Sequence, residues 1–167
     1  MRKVFFSFHY DDVFPANQVR NMDALQLENR GFIDRAESEK VERKGASAIE
    51  RWIDNQLDGT SVTVVLIGTN THERPYVDYE IRQSIARGNG LVGVRINCLS
   101  FRHSHPPYPR RLGKNPLANY TLYVGGKNIR ADRYYNTLDA SGMRNPYDYI
   151  RENIQGYIEH AAVKAGK

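Results

Sequence analysis

The stretch at residues 60–87, TSVTVVLIGTNTHERPYVDYEIRQSIAR, decides the fold. Its first part, 61–67, is a run of mostly apolar and β-branched residues without polar alternation, which is typical of a strand buried on both faces of a parallel sheet. Residues 68–70 (Gly-Thr-Asn) end this strand, and Pro75 is well tolerated as the first residue of a helix. The stretch therefore predicts a strand, a turn and a helix, in that order.

The predicted helix carries a candidate catalytic group beside its apolar stripe. Val77, Ile81 and Ile85 recur at four-residue spacing, so this stripe faces a core. Glu80 lies about 100° round the helix from Ile81, on the flank that also carries Tyr76. Ligand crevices in open α/β sheets form at the carboxyl ends of the strands, which is where this helix begins. A solvated surface acid is nevertheless the commoner role of a helical glutamate.

The remaining elements follow from apolar runs and helical spacing. Short apolar runs predict four more strands, at 3–8, 31–34, 91–96 and 120–124, and the glycines at 125–126 predict a hairpin or bulge after the last one. Three more helices are predicted, with inward-facing residues as follows: Val19, Met22 and Leu25 after Pro15; Ala46, Ile49, Ile53 and Leu57 before Gly59; Ile150, Ile154, Ile158 and Ala161 after Asn145 and Pro146.

This alternation of strands and helices predicts the fold class and the domain organisation. It indicates an α/β fold with an open, mainly parallel five-stranded sheet and helices on both faces. The length of 167 residues fits a single domain, 1–167. Within it we expect a core of four strands at about 3–97, a long loop at 98–119, and a C-terminal strand and helix at 120–163.

Composition narrows the location and the partners. No apolar run approaches the roughly 20 residues of a membrane helix, and the N-terminus lacks the features of a signal peptide, so we expect a cytoplasmic protein without a membrane partner. The lone cysteine, Cys98, excludes an internal disulfide and a cysteine-based zinc cluster. The net charge of +5 is scattered along the chain and fits an anionic small molecule as well as nucleic acid.

Several common sites are absent from the sequence. Neither a dinucleotide-binding G-x-G-x-x-G nor a P-loop follows a predicted strand, and no G-x-S-x-G supplies a serine nucleophile. The pair Asp11 and Asp12 suggests a phospho-receiver, but the aspartate that this chemistry needs after the third strand is missing at 68–70. His103 and His105 have no further ligand close by and are best interpreted as a surface pair. We therefore expect no metal site.

Four segments together resemble a known family. They are VFFSFHYDDV (4–13), TSVTVVLIGTNTHERPYVDYEIRQSI (60–85), GLVGVRIN (90–97) and KNP (114–116). In order and spacing they are similar to bacterial TIR-like domains, above all to the TIR-like signalling proteins of the Thoeris anti-phage system. The match runs from about Val4 to Pro116 and is looser beyond it. The resemblance implies a flavodoxin-like, TIR-like sheet.

The resemblance also implies a set of site residues. Active family members cleave the nicotinamide–ribose bond of NAD with one glutamate on the helix after the third strand, and this glutamate corresponds to Glu80. Many relatives have tryptophan where this chain has Tyr76. The residues that the resemblance places in contact with NAD are Phe5, Phe8, His9, Tyr10, Asp11, Tyr76 and Asn115.

The function implied by the resemblance is NAD-consuming signalling. The enzyme would be an NAD nucleosidase of the ADP-ribosyl cyclase type, with NAD as substrate and with no cofactor. Its cyclic ADP-ribose-type product would diffuse to a separate effector. A phage-derived trigger and a homo-oligomer are the other expected partners, and nucleic acid is not expected.

Two other functions stay open. TIR domains also act as non-catalytic adaptors through self-association, and similar α/β sheets support nucleoside or base-exchange glycosyl transfer. The sequence does not distinguish hydrolysis from cyclisation, and it does not define the ring linkage of the product.

Overall fold

The computed structural model describes residues 2–23, 25, 27–30, 41, 43–99 and 111–167. The strands are β1 (Arg2–Ser7), β2 (Leu27–Arg30), β3 (Val62–Ile67), β4 (Gly90–Arg95), β5 (Thr121–Val124), β6 (Lys127–Arg130) and β7 (Thr137–Leu138). The helices are α1 (Val13–Arg20), α2 (Ala46–Leu57), α3 (Pro75–Ala86), α4 (Ala131–Tyr134) and α5 (Pro146–Lys164). None of the helices within these ranges is long and apolar enough to cross a bilayer.

The central sheet has five parallel strands in the order β2-β1-β3-β4-β7. Strand β3 lies in the middle, where Val64 pairs with Phe6 of β1 and with Val92 of β4. Every residue of β3 is buried. Because a strand covered on both faces has no solvent side, it needs no polar alternation. The predicted open, parallel sheet is confirmed.

Helices cover both faces of this sheet. Helix α5 packs on β3, β4 and β7 and contacts α1, whereas α3 contacts β1, β3, β4 and α2. Strand β1 serves both layers, because successive side chains of a strand point to opposite faces. Phe6 joins the large cluster that contains α1 and α5, and Phe5 packs with Ile49, Ile53 and Leu57 of α2.

The structure confirms three of the predicted helices and corrects the fourth. Helices α2, α3 and α5 begin and end close to the predicted residues. Helix α1 begins at Val13, so Pro15 does not open it, and it ends at Arg20, before Met22 and Leu25. Both residues are nevertheless buried, because successive turns bring Met22 N to Val19 O (3.2 Å) and Leu25 N to Met22 O (3.2 Å). The three-residue spacing therefore reflects these turns and not a longer helix.

The fifth strand of the sheet is not the predicted one. Residues 121–124 form the strand β5, which pairs antiparallel with β6 in a separate hairpin. The predicted strand and the hairpin after it are therefore confirmed, whereas the predicted place of this strand in the main sheet is wrong. Two of the four side chains of β5 are exposed and none is buried, which does not suit a central parallel strand. The two residues of β7 lie beside β4 instead. The predicted strand at 31–34 lies outside the described residues. At the edge of the sheet opposite β7, β2 pairs with β1.

Tight loop contacts occur at the carboxyl edge of the sheet. A β-carbon at Gly68, after β3, would overlap the carboxylate of the buried Asp12, and one at Gly113 would overlap the carbonyl oxygen of Gly68. Thr69 Oγ1 also donates a hydrogen bond to Arg111 O at 2.7 Å. These contacts fasten segment 111–113 to the loop that leads into α3.

Candidate active site

A cavity of about 300 Å³ lies between α2 and α3, beside the loop that follows β1. Ile49, Trp52 and Ile53 of α2 form one wall, and Val77 and Glu80 of α3 form the opposite wall. The remaining lining comes from Phe8, His9, Tyr10, Val41, Arg74, Pro75 and Tyr76. The cavity has the volume and the largely apolar lining of a small-molecule site.

Glu80 is the buried acid of this cavity. Its exposed fraction is 4%, and Ser7 Oγ, at the carboxyl end of β1, donates a hydrogen bond to Oε2 at 2.5 Å. On the next turn Ser84 Oγ donates to Glu80 O and also lies 2.7 Å from Thr63 Oγ1 of β3. This polar flank of α3 is thus fixed against the sheet.

Burial changes the acidity of Glu80. Desolvation raises the pKa of its carboxyl group to about 8, and the hydrogen bond from Ser7 acts in the opposite direction. Glu80 is therefore mostly protonated at neutral pH. A positive charge brought close to it would favour the ionised form and release the proton. Such a perturbed acid within a cleft is typical of a catalytic group.

Aromatic side chains surround the opening of the cavity. Tyr10 is 37% exposed and Tyr76 is 41% exposed, so each has one surface in solvent and another toward the cavity. Phe8 and Trp52 lie deeper. Flat aromatic surfaces of this kind can stack on heterocyclic rings.

A known protein family matches more than half of this chain. The family model of the Thoeris protein ThsB, TIR-like domain, matches residues 5–100. The chain belongs to this family. A relative from Bacillus cereus (strain MSX-D12), named "Putative cyclic ADP-D-ribose synthase ThsB1", is 40% identical over 134 residues, which cover 77% of this chain and 68% of the relative. The resemblance to Thoeris TIR-like proteins is confirmed.

The ThsB match contains every described residue that lines the cavity. Of the residues predicted to form the site, the structure brings Glu80 together with four others at the cavity. These four are Phe8, His9, Tyr10 and Tyr76.

Three predicted site residues of this ThsB-family chain lie elsewhere. Phe5 is buried behind the cavity wall, against Ile53 of α2. Asp11 is exposed and lies 3.0 Å from the Nε2 atom of His9, although this buried Nε2 forms no hydrogen bond. Asn115 caps a short turn by accepting from Leu117 N and donates to Thr137 Oγ1. Their contact with NAD stays a prediction.

Seven of the described residues that line the cavity were not predicted as site residues, and Trp52 and Arg74 are the two with side chains best suited to bind a ligand. The signal for Trp52 is a large aromatic residue at the polar boundary of α2. For Arg74 it is a basic residue placed just before the first residue of α3, at a strand's carboxyl edge. Neither signal is specific without the fold.

One acid ties the two walls of the cavity together. Asp54 of α2 accepts a hydrogen bond from Tyr79 OH at 3.0 Å and another from Arg87 Nη2, also at 3.0 Å. Both donors belong to α3 or its C-terminal end. The network fixes the spacing of α2 and α3, and with it the width of the cavity.

Metal ligation receives no support from the part of the chain that the structure describes. There, no group of three histidine, cysteine, aspartate or glutamate side chains could hold an ion. The pair His103 and His105 lies outside the described residues. The expected absence of a metal and of a cofactor stays a prediction.

Proposed function

We propose that this chain cleaves the nicotinamide–ribose bond of NAD and cyclises the product to a cyclic ADP-ribose-type messenger. The observation that carries the proposal is the buried carboxyl group of Glu80 in a cavity rimmed by aromatic rings. The name of the ThsB1 relative, a cyclic ADP-D-ribose synthase, supports the same reaction class. NAD is then the substrate and not a cofactor.

The first step needs little more than this carboxyl group. When the bond between C1′ and the nicotinamide nitrogen breaks, its electron pair goes to nicotinamide, which leaves as a neutral molecule without a general acid. The ribose keeps an oxocarbenium-like positive charge, which a carboxylate can stabilise. The pyridinium charge of NAD favours ionisation of Glu80 as the substrate enters, so the base form is present when it is needed.

The second step depends on what reaches C1′ first. Water gives ADP-ribose, whereas a nitrogen or hydroxyl oxygen of the same molecule gives a cyclic isomer. A nucleophile that bears a proton loses it in this step. The apolar side chains of Ile49, Ile53 and Val77 exclude water from part of the cavity, which favours internal capture.

The biological partners follow from a diffusible product. The messenger reaches a separate effector protein, so no stable contact between enzyme and effector is needed. A phage-derived trigger starts synthesis, and assembly into a homo-oligomer accompanies it. The chain acts in the cytoplasm, where NAD is available.

Mass spectrometry of NAD products tests the proposal directly. Cells expressing the wild type, Glu80→Gln or Glu152→Gln are compared with and without phage. Glu152 is an exposed glutamate on α5 and serves as the matched control. We expect the cyclic product to fall by roughly 10²-fold or more in Glu80→Gln, the usual cost of losing a group that stabilises transition-state charge, and to be unchanged in Glu152→Gln.

Two outcomes would contradict the proposal. If phage-challenged wild-type cells leave NAD intact, or if Glu80→Gln forms as much product as the wild type, Glu80 does not catalyse this reaction. Phage protection that survives Glu80→Gln would favour the adaptor function. Turnover of nucleosides in place of NAD would favour glycosyl transfer.

A further inference from the structure

A second charged side chain faces the cavity from the residue before α3. Arg74 lines the cavity, and its backbone is extended at φ −93° and ψ 120°. Its Nε atom is buried and forms no hydrogen bond. None of the ion pairs in the described part of the chain includes Arg74. A buried, unpaired donor on a cation is costly unless a ligand supplies the acceptor.

Arg74 and Glu80 share the cavity without neutralising each other. Arg74 is not among the causes that shift the pKa of Glu80, which are its burial and the hydrogen bond from Ser7. A cation and a separate acid that ionises beside a positive charge suit a ligand that carries a cation at one end and an anion at the other. NAD has this distribution, with a pyridinium ring on one side of the ribose and a diphosphate on the other.

The start of α3 adds to the positive character at Arg74. No side chain caps this helix N-terminus, and its first residue, Pro75, also lines the cavity. The first turn of a helix has unpaired N–H groups and a partial positive charge, both of which favour an anion. The helix end and the guanidinium therefore favour the same kind of ligand group.

We propose that Arg74 binds a phosphate oxygen of the NAD diphosphate and so holds the nicotinamide ribose beside Glu80. The inference rests on the proposed function, because it takes NAD as the substrate. Guanidinium groups suit this role, since their planar donors match phosphate oxygens in a two-point contact. The ribose between the two ends is then fixed from both sides, which limits its rotation away from the acid.

The test measures binding in a chain that does not turn over its ligand. Glu80→Gln is compared with the double variant Glu80→Gln/Arg74→Gln, using NAD and nicotinamide riboside, which lacks phosphate. Titrations followed by NMR cover millimolar as well as tighter binding. We expect loss of Arg74 to raise the Kd for NAD roughly 10- to 100-fold, the range for a lost charge-assisted hydrogen bond, and to change the Kd for the riboside less than about twofold.

Arg82→Gln in the same Glu80→Gln background is the matched control. Arg82 lies on α3, is exposed and pairs with Asp78, so its loss removes one positive charge without touching the cavity. We expect its Kd for NAD to stay within about twofold of the parent. An equal loss of affinity in both arginine variants would mean general attraction by charge, and would overturn the inference.

Other outcomes separate this inference from the proposed function. An unchanged Kd for NAD after Arg74→Gln, or equal weakening of NAD and riboside, would overturn the role of Arg74 while NAD remains the ligand. A Glu80→Gln chain with no measurable affinity for NAD would overturn the proposed function as well. Arg74→Lys, which keeps the charge but not the planar donors, is expected to fall between the parent and Arg74→Gln.

Discussion

Helices α3 and α5 carry residues at the same four-residue spacing against one sheet, yet the cavity of the candidate site is lined by α3 and not by α5. On α5 the stripe is aliphatic, and Ile150, Ile154 and Ile158 are fully buried. On α3, Glu80 lies beside the buried Val77, and the buried Ser84 continues this polar flank one turn later. A single step round a helix thus separates a residue that stabilises the fold from one that can do chemistry.

The two helices also differ in what their buried residues do to stability. Each buried isoleucine of α5 contributes about 1.5–3 kcal/mol through removal of apolar surface from water. Burial of Glu80 acts in the opposite direction, since it raises the pKa of the carboxyl group to about 8 and penalises its charged form. We therefore expect loss of a buried isoleucine on α5 to lower the free energy of unfolding, and loss of the carboxyl group of Glu80 on α3 to raise it.

The largest effect is expected on α5. Ile154→Ala removes a fully buried side chain and leaves a hole between α5 and the sheet, so the free energy of unfolding should fall by about 2–5 kcal/mol. Urea denaturation measures this change. Val163→Ala, at a 70% exposed position of the same helix, should stay within about 0.5 kcal/mol. A loss below 1 kcal/mol for Ile154→Ala would show that this stripe does not hold the fold.

The next effect concerns Glu80 and depends on pH. Below about pH 4.5, the ordinary pKa of a glutamate, the carboxyl group of Glu80 is protonated in both the folded and the unfolded chain. As the pH rises toward 8, the unfolded chain releases its proton while folded Glu80 keeps it, so wild-type stability falls until the folded group also ionises. Glu80→Gln has no such proton, and its melting temperature relative to wild type should rise by several degrees between pH 5 and pH 8.5.

Thermal denaturation of matched variants checks this pH effect. Glu152→Gln removes an exposed carboxyl group from α5. The difference between its melting temperature and that of the wild type should be nearly constant over the same pH range. If the melting temperature of Glu80→Gln also differs from that of the wild type by a constant amount, the carboxyl group of Glu80 is not desolvated. The contrast between the two helices is then lost.

The smallest effect is expected from the hydrogen-bond partner of Glu80. Ser7→Ala removes a donor that lowers the pKa of Glu80, so the pKa should rise above its wild-type value of about 8. If the ionised form is the catalyst, kcat/KM for NAD increases with pH through this pKa in the wild type. In the variant this profile should shift toward higher pH. Its kcat/KM at pH 7 should therefore fall roughly tenfold, which corresponds in free energy to about one hydrogen bond.

A serine at the other end of the sheet gives the control for this pH profile. Ser61 precedes β3 and contacts Lys3 O, far along the strand from the cavity. Ser61→Ala should leave the profile in place. A Ser7→Ala profile that coincides with that of the wild type would mean that Ser7 does not tune Glu80.

Much of the fold could be predicted because its signals are local. Strands β1, β3 and β4 are short apolar runs, and α2, α3 and α5 have clear caps or breakers at their ends. Strand β7 could not be predicted, because its two residues gain their place only by pairing with β4. The run at 120–124 has the β-branched and aromatic residues of a strand, and its exposure becomes visible only in three dimensions.

The site was predicted less completely than the fold. The spacing alone leaves Glu80 as an ordinary helix acid, and the family resemblance singled it out. Its partner Ser7 is 73 residues away, so their contact is a product of the fold. Trp52 and Arg74 reach the same cavity from different elements, and no periodic pattern connects them.

The tight packing of Gly113 against the loop after β3 has a consequence for sequence divergence. Segment 111–113 is held at a fixed place by Gly68 and by the bond from Thr69 to Arg111. Any side chain at position 113 would have to displace the backbone of residues 68 and 69, which leads toward α3. We therefore expect position 113 to accept glycine and little else.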